Sequence, residues 1–279
     1  MNLWYAFWNT LPFEMFHWTF MQNALLAILL MTPLFGLTST MIVTGKLSFF
    51  SDALGHSAFT GIAIGAIFGI FSPTIVSVIF SLLFALLFSY IRSRSNQTAD
   101  TLIGVFSSTA VALGIFVATI NGGSFTKYNK YLIGDILSVT PEEIGLLALV
   151  LVVVVTFWII ASNKLTLSAV YPQLASSRGI PVELTQTVFT AAIAVVVTLC
   201  ISWVGLLIIN SLLVLPAATS RNIAKNLKQY HLFSVLIALV SGISGLCLSY
   251  YLGTSSGSAI CLVLAVLFAI SFFLRKVRF

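Results

Sequence analysis

The chain has 279 residues, of which 59% are hydrophobic and only 7% charged, with a mean hydropathy of +1.09. Soluble domains carry about 25% charged residues, so this composition excludes a soluble enzyme, a disordered regulator and a nucleic-acid binder. Cys200, Cys247 and Cys261 all lie inside apolar runs, which excludes a disulfide-built secreted scaffold. The fold class that remains is all-α, a polytopic helical membrane protein.

Residues 1–18 are rich in aromatics (Trp4, Tyr5, Phe7, Trp8, Phe13, Phe16, Trp18) and carry one charge, Glu14. With no basic leader or small-residue cleavage site, this stretch reads as an amphipathic helix in the headgroup layer rather than a signal peptide. From residue 19 to 279 the chain reads as one transmembrane domain. A bilayer core needs about 20 apolar residues at helical rise. Such runs fall at 20–43, 49–71, 73–91, 101–120, 144–162, 184–203, 205–219, 232–252 and 257–274, which predicts about eight or nine transmembrane helices. Runs such as 146–155 (LLALVLVVVV) cannot alternate, so a β-barrel is excluded. The 205–219 run is short and holds Asn210 and Pro216, which predicts a broken or tilted helix there, with Asn210 bonding across helices. Asp100 reads as the N-cap of the helix beginning at Thr101.

If the amino terminus lies outside and all nine runs cross, the inner loops hold eleven cations and the outer ones two, Lys127 and Lys130. That asymmetry obeys the positive-inside rule and puts 162–183 and 221–230 in the cytoplasm.

An ionisable side chain in the hydrocarbon costs roughly 2.5–3.5 kcal/mol on insertion scales, so each one needs a reason. One run contains both an acid and a histidine, SDALGHSAFTGIAIGAIFG at 51–69. Asp52 and His56 are four apart, which places them on one helix face. A carboxylate and an imidazole at that spacing can share a divalent metal and suit zinc, manganese or iron(II) better than calcium or magnesium. Two such helices facing each other in a homodimer would supply four ligands. The plainer alternative makes Asp52 an N-cap and His56 a hydrogen-bonding partner of a neighbouring helix. Gly61, Gly65 and Gly69 recur every four residues, a stripe for close helix packing. His17, His231 and Asp135 read as membrane-border or loop residues. A GxGD pair, HExxH and a GxxxxGK[ST] loop are all missing, which argues against intramembrane proteolysis and against ATP binding by this chain itself.

Between the fifth and sixth runs, Tyr171 to Gly179 is long enough for two helical turns, opened by Pro172 and closed by Gly179. A short helix with little to bury suggests a cytoplasmic docking element, within a segment of about 166–181.

Six segments in order, SDALGHSAFTGIAIG, IRSRSNQTADTLIGVFSSTAVALGIFV, YLIGDILSVTPEE, YPQLASSRGIPV, GLLIINSLLVLPAATSR and GLCLSYYLGTSSGSAICLV, carry a resemblance that covers nearly the whole chain. The sequence resembles the permease subunits of the zinc, manganese and iron ATP-binding-cassette importers, the metal-chelate permease family. The resemblance implies a type II importer-like permease in the inner membrane of a prokaryote. It implies a second permease copy in a homodimer, two cytoplasmic ATPase subunits and an extracytoplasmic metal-binding protein as partners. The family's DALSHA-type motif matches Asp52 to Ser57, so Asp52 and His56 would line the metal path. Its coupling segment matches Tyr171, Pro172, Gln173, Ala175, Arg178 and Gly179, which would enter a cleft on the ATPase. Gly55, Tyr171 and Gln173 depart from the residues usual in the family. The implied protein is a transport subunit without enzymatic activity of its own, holding no permanent cofactor and passing zinc, manganese or iron as cargo. A permease for a siderophore or cobalamin, or a secondary transporter without partners, is the alternative. An ionisable pair in the path argues against the first, and the missing inverted repeat against the second.

Overall fold

The structure is a computed structural model describing residues 4, 5, 8, 14–69, 72–120 and 135–276. After a 3₁₀ turn at Glu14–His17, the described residues form ten α-helices: α1 Thr19–Thr44, α2 Phe50–Phe68, α3 Pro73–Arg94, α4 Ala99–Thr119, α5 Pro141–Val170, α6 Pro172–Ser177, α7 Val182–Val204, α8 Leu206–Ile223, α9 Leu227–Leu252 and α10 Ser256–Lys276. A second 3₁₀ turn, Ile136–Ser138, precedes α5. Eight of the long helices are long and apolar enough to cross a membrane, and α2 is the exception.

That exception differs from the sequence expectation. The weak run was 205–219, yet α8 is continuous over 18 residues and passes on apolarity. Pro216 lies inside α8, where proline removes a backbone donor and crowds the preceding turn. The adjacent Ala217 N–H donates to Ser39 Oγ of α1 at 3.1 Å, so a hydroxyl from a neighbouring helix satisfies backbone at the disturbed turn. The 19 residues of α2 span roughly 28 Å at helical rise, enough for a bilayer core. Its deficit is chemical and lies in Ser51, Asp52, His56, Ser57, Thr60 and its glycines.

The chain divides into two compact units. The first comprises 1–40, 135–158 and 203–279. In it α8, α9 and α10 pack on one another. Ser234 Oγ of α9 donates to the Gly36 carbonyl of α1 at 2.6 Å, and Ser220 Oγ of α8 to the Tyr230 carbonyl of α9 at 2.7 Å. His231 Nδ1 lies 2.8 Å from Thr40 Oγ1, and its ring meets Trp158 edge-on at 5.1 Å, so this histidine is engaged structurally. Most of the expected interfacial stretch lies outside the described residues. Of what is described, Trp4 Nε1 donates to the Gln22 carbonyl at 3.1 Å and Tyr5 Oη to Asn23 Oδ1 at 2.7 Å, tying the aromatic segment to the first turns of α1.

The second unit comprises 41–134 and 159–202. Here α2 is packed against both α3 and α4. An aromatic row joins the three helices: Phe50 to Phe88 at 4.7 Å, and Phe106 edge-on to Phe88 at 5.5 Å and to Phe84 at 5.2 Å. Ser77 Oγ donates to the Ala58 carbonyl at 2.9 Å, and Ser57 and Ser81 hydroxyls pair at 2.9 Å. The approach of α2 to α3 is set by Gly61 and Gly65. A β-carbon on Gly61 would fall 2.5 Å from Ser77 Cα, and one on Gly65 would fall 2.9 Å from Pro73 Cα. Gly69 does not extend that stripe; it is the C-cap of α2 in the left-handed conformation, φ 63°. The N-cap of α4 is likewise not Asp100 but Thr98, whose hydroxyl accepts from Thr101 N at 3.4 Å, with Asp100 in the first turn. Helix α5 runs eight residues past the expected end at 162, because nothing in ASNKLTLSAV breaks a helix before Pro172.

Gly61→Ala is expected to lower stability by about 1–3 kcal/mol through overpacking against backbone. Gly104→Ala, where a β-carbon meets nothing within 4 Å, is expected to be neutral or stabilising. Thermal unfolding of the two variants in detergent checks both.

Candidate functional site

Asp52 and His56 both lie on α2. The residue capping this helix is Phe49, with no side-chain cap hydrogen bond, and Asp52 stands in the first turn. The carboxylate is therefore not the N-cap that the plainer reading made it, although a negative charge in a first turn is favoured by the helix dipole. Its Oδ2 is 3.5 Å from His56 Nε2, and the Asp52 and His56 side chains are 50% and 29% exposed. The pair is thus accessible while the rest of the helix is largely buried.

At 100° per residue, Asp52 and His56 lie on the face of α2 opposite Gly61 and Gly65. The glycine face is closed against α3. A second fastening comes from Thr60, whose hydroxyl donates to the Ala110 carbonyl of α4 at 2.7 Å as well as to the His56 carbonyl one turn earlier at 3.0 Å. Thr60 thereby bonds the backbone of the histidine's own residue. Sequence reasoning singled out the glycines and missed Thr60. A threonine one turn after the histidine was the available signal, but nothing in one sequence says which helix it reaches.

Chemically, the pair offers one carboxylate and one imidazole, borderline donors suited to a first-row divalent ion. No group of three or more His, Cys, Asp or Glu side chains capable of holding a metal occurs among the described residues. At this place one chain brings together two such side chains, Asp52 and His56.

The other sequence-predicted residues fall elsewhere. Asp135 caps the 3₁₀ turn, its Oδ1 accepting from Leu137 N at 3.0 Å. His17 closes the first 3₁₀ turn. Most of the segment 121–141 lies outside the described residues. Tyr171, Pro172, Gln173, Ala175, Arg178 and Gly179 all come together in α6 and its caps. Pro172 opens the helix, Tyr171 is its N-cap and Arg178 its C-cap. Gly179 N–H donates to the Ser176 carbonyl and Ile180 N–H to the Ala175 carbonyl, both at 3.0 Å. This crossed pair is a Schellman stop, and it needs the left-handed conformation that Gly179 adopts at φ 74°. Ala175 is fully buried, whereas Tyr171 and Leu174 are 62% and 44% exposed. A six-residue helix is thus fixed to its unit by one small side chain and turns a tyrosine and a leucine outward.

The comparison with known proteins decides the family. The family model described as the ABC 3 transport family matches residues 17–275. The chain belongs to that family. It is 31% identical to the manganese import system permease protein ScaB of Streptococcus parasanguinis, over 94% of this chain and 92% of the relative. It is 28% identical to the high-affinity zinc uptake system membrane protein ZnuB of Haemophilus influenzae, over 84% of this chain and 90% of the relative. Among solved structures it is similar to PsaBC from Streptococcus pneumoniae in complex with Fab, with a TM-score of 0.79, 27% identity, and coverage of 98% of this chain and 95% of that one. As a member of this family with eight apolar helices of membrane-crossing length, it is a multi-pass protein of the inner membrane.

Asp52→Asn is expected to change stability by no more than about 1 kcal/mol, the size of a first-turn dipole contribution. Thr60→Val, which leaves a buried carbonyl short of a partner, is expected to cost about 1–3 kcal/mol. Thermal unfolding of the two variants side by side distinguishes a dispensable charge from a structural hydroxyl.

Proposed function

We propose that this chain is the membrane-spanning permease subunit of an ATP-driven importer for a divalent transition metal, zinc or manganese, with iron as a further cargo of the same chemistry. The observation that carries the reading is the Asp52–His56 pair, 3.5 Å apart and accessible on a helix otherwise enclosed by protein. The manganese and zinc import proteins among the relatives support it.

A metal ion entering the membrane must exchange its water shell for protein donors. Asp52 and His56 supply two of them, the carboxylate offsetting part of the ion's charge. A second copy of the permease, meeting the first across the same path, supplies the other two. Coordination of this kind must stay weak, since closed four-ligand zinc centres hold their metal as part of the fold. Both side chains are partly solvated, which keeps exchange with water open.

The energy enters through α6. In this reading the helix docks into a cleft of a separate cytoplasmic ATPase, with Tyr171 and Leu174 as the contact and Gln173 and Arg178 flanking it. ATP binding and hydrolysis there move α6, and that movement alternates the side to which the path opens. An extracytoplasmic metal-binding protein delivers the ion. The permease makes and breaks no covalent bond.

Two tests separate the halves of this reading. Asp52→Asn and His56→Ala are expected to abolish accumulation of the cargo metal in cells lacking the wild-type gene while leaving co-purification with the ATPase intact. Elemental mass spectrometry reads the result and names the metal. Normal accumulation in the Asp52→Asn strain overturns the ligand role. Gly179→Leu strains the left-handed stop by about 1–2 kcal/mol, a loss of roughly tenfold in docking strength. Unchanged co-purification of the ATPase with this variant overturns the coupling role.

A further inference from the structure

Within the first unit, the ends of α8, α9 and α10 border an open cavity of about 420 Å³, lined by Asn222, Ile223, Lys225, Gln229, Phe233, Leu274 and Arg275. That volume falls in the range of roughly 300–1,000 Å³ typical of small-molecule sites. Its lining is two-natured: Ile223, Phe233 and Leu274 are apolar, while Lys225 and Arg275 are cations. Part of the polar lining is already committed. Asn222 Nδ2 donates to Ser271 Oγ at 3.0 Å, and Gln229 Oε1 accepts from Lys225 N at 3.0 Å. The carbonyl end of Gln229 is engaged, and the end left for a ligand is its amide donor. Beside that amide donor, the side chains lining the cavity bring two positive charges and one acceptor, Asn222 Oδ1.

The electrostatics here run against the helix dipoles. Lys225 immediately precedes Asn226, the N-cap of α9, and Lys228 lies in its first turn, where no acidic residue occurs. A helix amino terminus favours negative charge and disfavours cations. In the sequence no Asp or Glu follows Glu183, while Arg221, Lys225, Lys228, Arg275, Lys276 and Arg278 all do. Arg275, in the last turn of α10, answers the negative end of its own helix. Lys225 makes no salt bridge among the described residues, and an anion from outside the chain would compensate it.

We propose that this cavity binds the phosphate-bearing headgroup of an anionic phospholipid from the cytoplasmic leaflet. The side follows from the positive-inside rule, which assigns the end of the unit carrying Arg221, Lys225, Lys228 and Arg275 to the cytoplasm. The chemical class follows from the lining. Lys225, Arg275, the Gln229 amide and the amino terminus of α9 face the phosphate, and Phe233 with Leu274 meets the glycerol and the first methylenes. A basic pocket between transmembrane helices on that side has the character of an anionic headgroup site. This inference is independent of the metal path, which lies in the other unit.

The test is native mass spectrometry of the full chain in mild detergent, offered an equimolar mixture of phosphatidylglycerol and phosphatidylcholine. Phosphatidylglycerol is expected to be retained preferentially. The Lys225→Gln/Arg275→Gln double variant is expected to lower its retention at least roughly tenfold. Lys225→Arg/Arg275→Lys retains it, and so does Lys164→Gln, a cation of the other unit. Phe233→Ala removes the apolar wall with both charges kept and is also expected to lower retention. Equal retention of the two lipids overturns the proposal, as does unchanged phosphatidylglycerol in the double variant. Displacement by millimolar inorganic phosphate overturns it by showing that charge alone is recognised. Loss of ATPase co-purification with lipid retention unchanged overturns it in favour of an acidic protein segment.

Discussion

The close approach of α2 to α3 is the constraint on which the second unit rests. Gly61 lies against Ser77 and Gly65 against Pro73 with no room for a β-carbon. At that distance the Ser57–Ser81 pair, the Ser77 bond to Ala58 and the Thr60 bond to Ala110 all become possible. These contacts remove the polar side of α2 from lipid and satisfy it internally, so a helix too polar to count as a membrane span still has its place in the protein. The same packing fixes the rotation of α2 about its axis. With the glycine face closed, Asp52 and His56 face outward, and the pair owes its accessibility to residues two turns away.

Hydroxyls play the corresponding part in the first unit. Ser39 receives the N–H next to Pro216, Ser234 bonds the Gly36 carbonyl, and Ser220 bonds the Tyr230 carbonyl. Inside a membrane, helices gain little by excluding lipid from each other, and small polar side chains supply directional contacts instead. Proline in α8 becomes tolerable for the same reason, since the neighbouring helix carries the acceptor.

The short helix α6 is built by different means. Pro172 presets its first turn, Gly179 stops it, and Ala175 alone is buried. Its shape is therefore encoded locally, and it can turn a small exposed surface outward without a core of its own. That independence suits the docking role proposed for it, because its geometry would survive movement of the helices around it.

Much of this was legible in the sequence, and the reasons are local. Apolar runs of about 20 residues forced membrane-length helices, the four-residue spacing put Asp52 and His56 on one face, and Pro172 with Gly179 bracketed α6. The errors were also local readings of what is decided elsewhere. Composition marked 205–219 as the doubtful span, whereas α8 is continuous because Ser39, 178 residues away in the chain, bonds its proline turn. Spacing grouped Gly69 with Gly61 and Gly65, but the first is a helix stop and only the other two meet a neighbour. The alternative reading of Asp52 as an N-cap fails because Phe49 caps α2 and Asp52 stands in its first turn. The sequence by itself determined which segments are helical, which side chains are too polar to be accidental, and where the chain turns. Only the tertiary structure decided which face of α2 is closed, which hydroxyls answer which carbonyls, and that Lys225 and Arg275 share one cavity. Periodicity and capping act over a few residues, but burial, close approach and the meeting of charges depend on elements far apart in the chain.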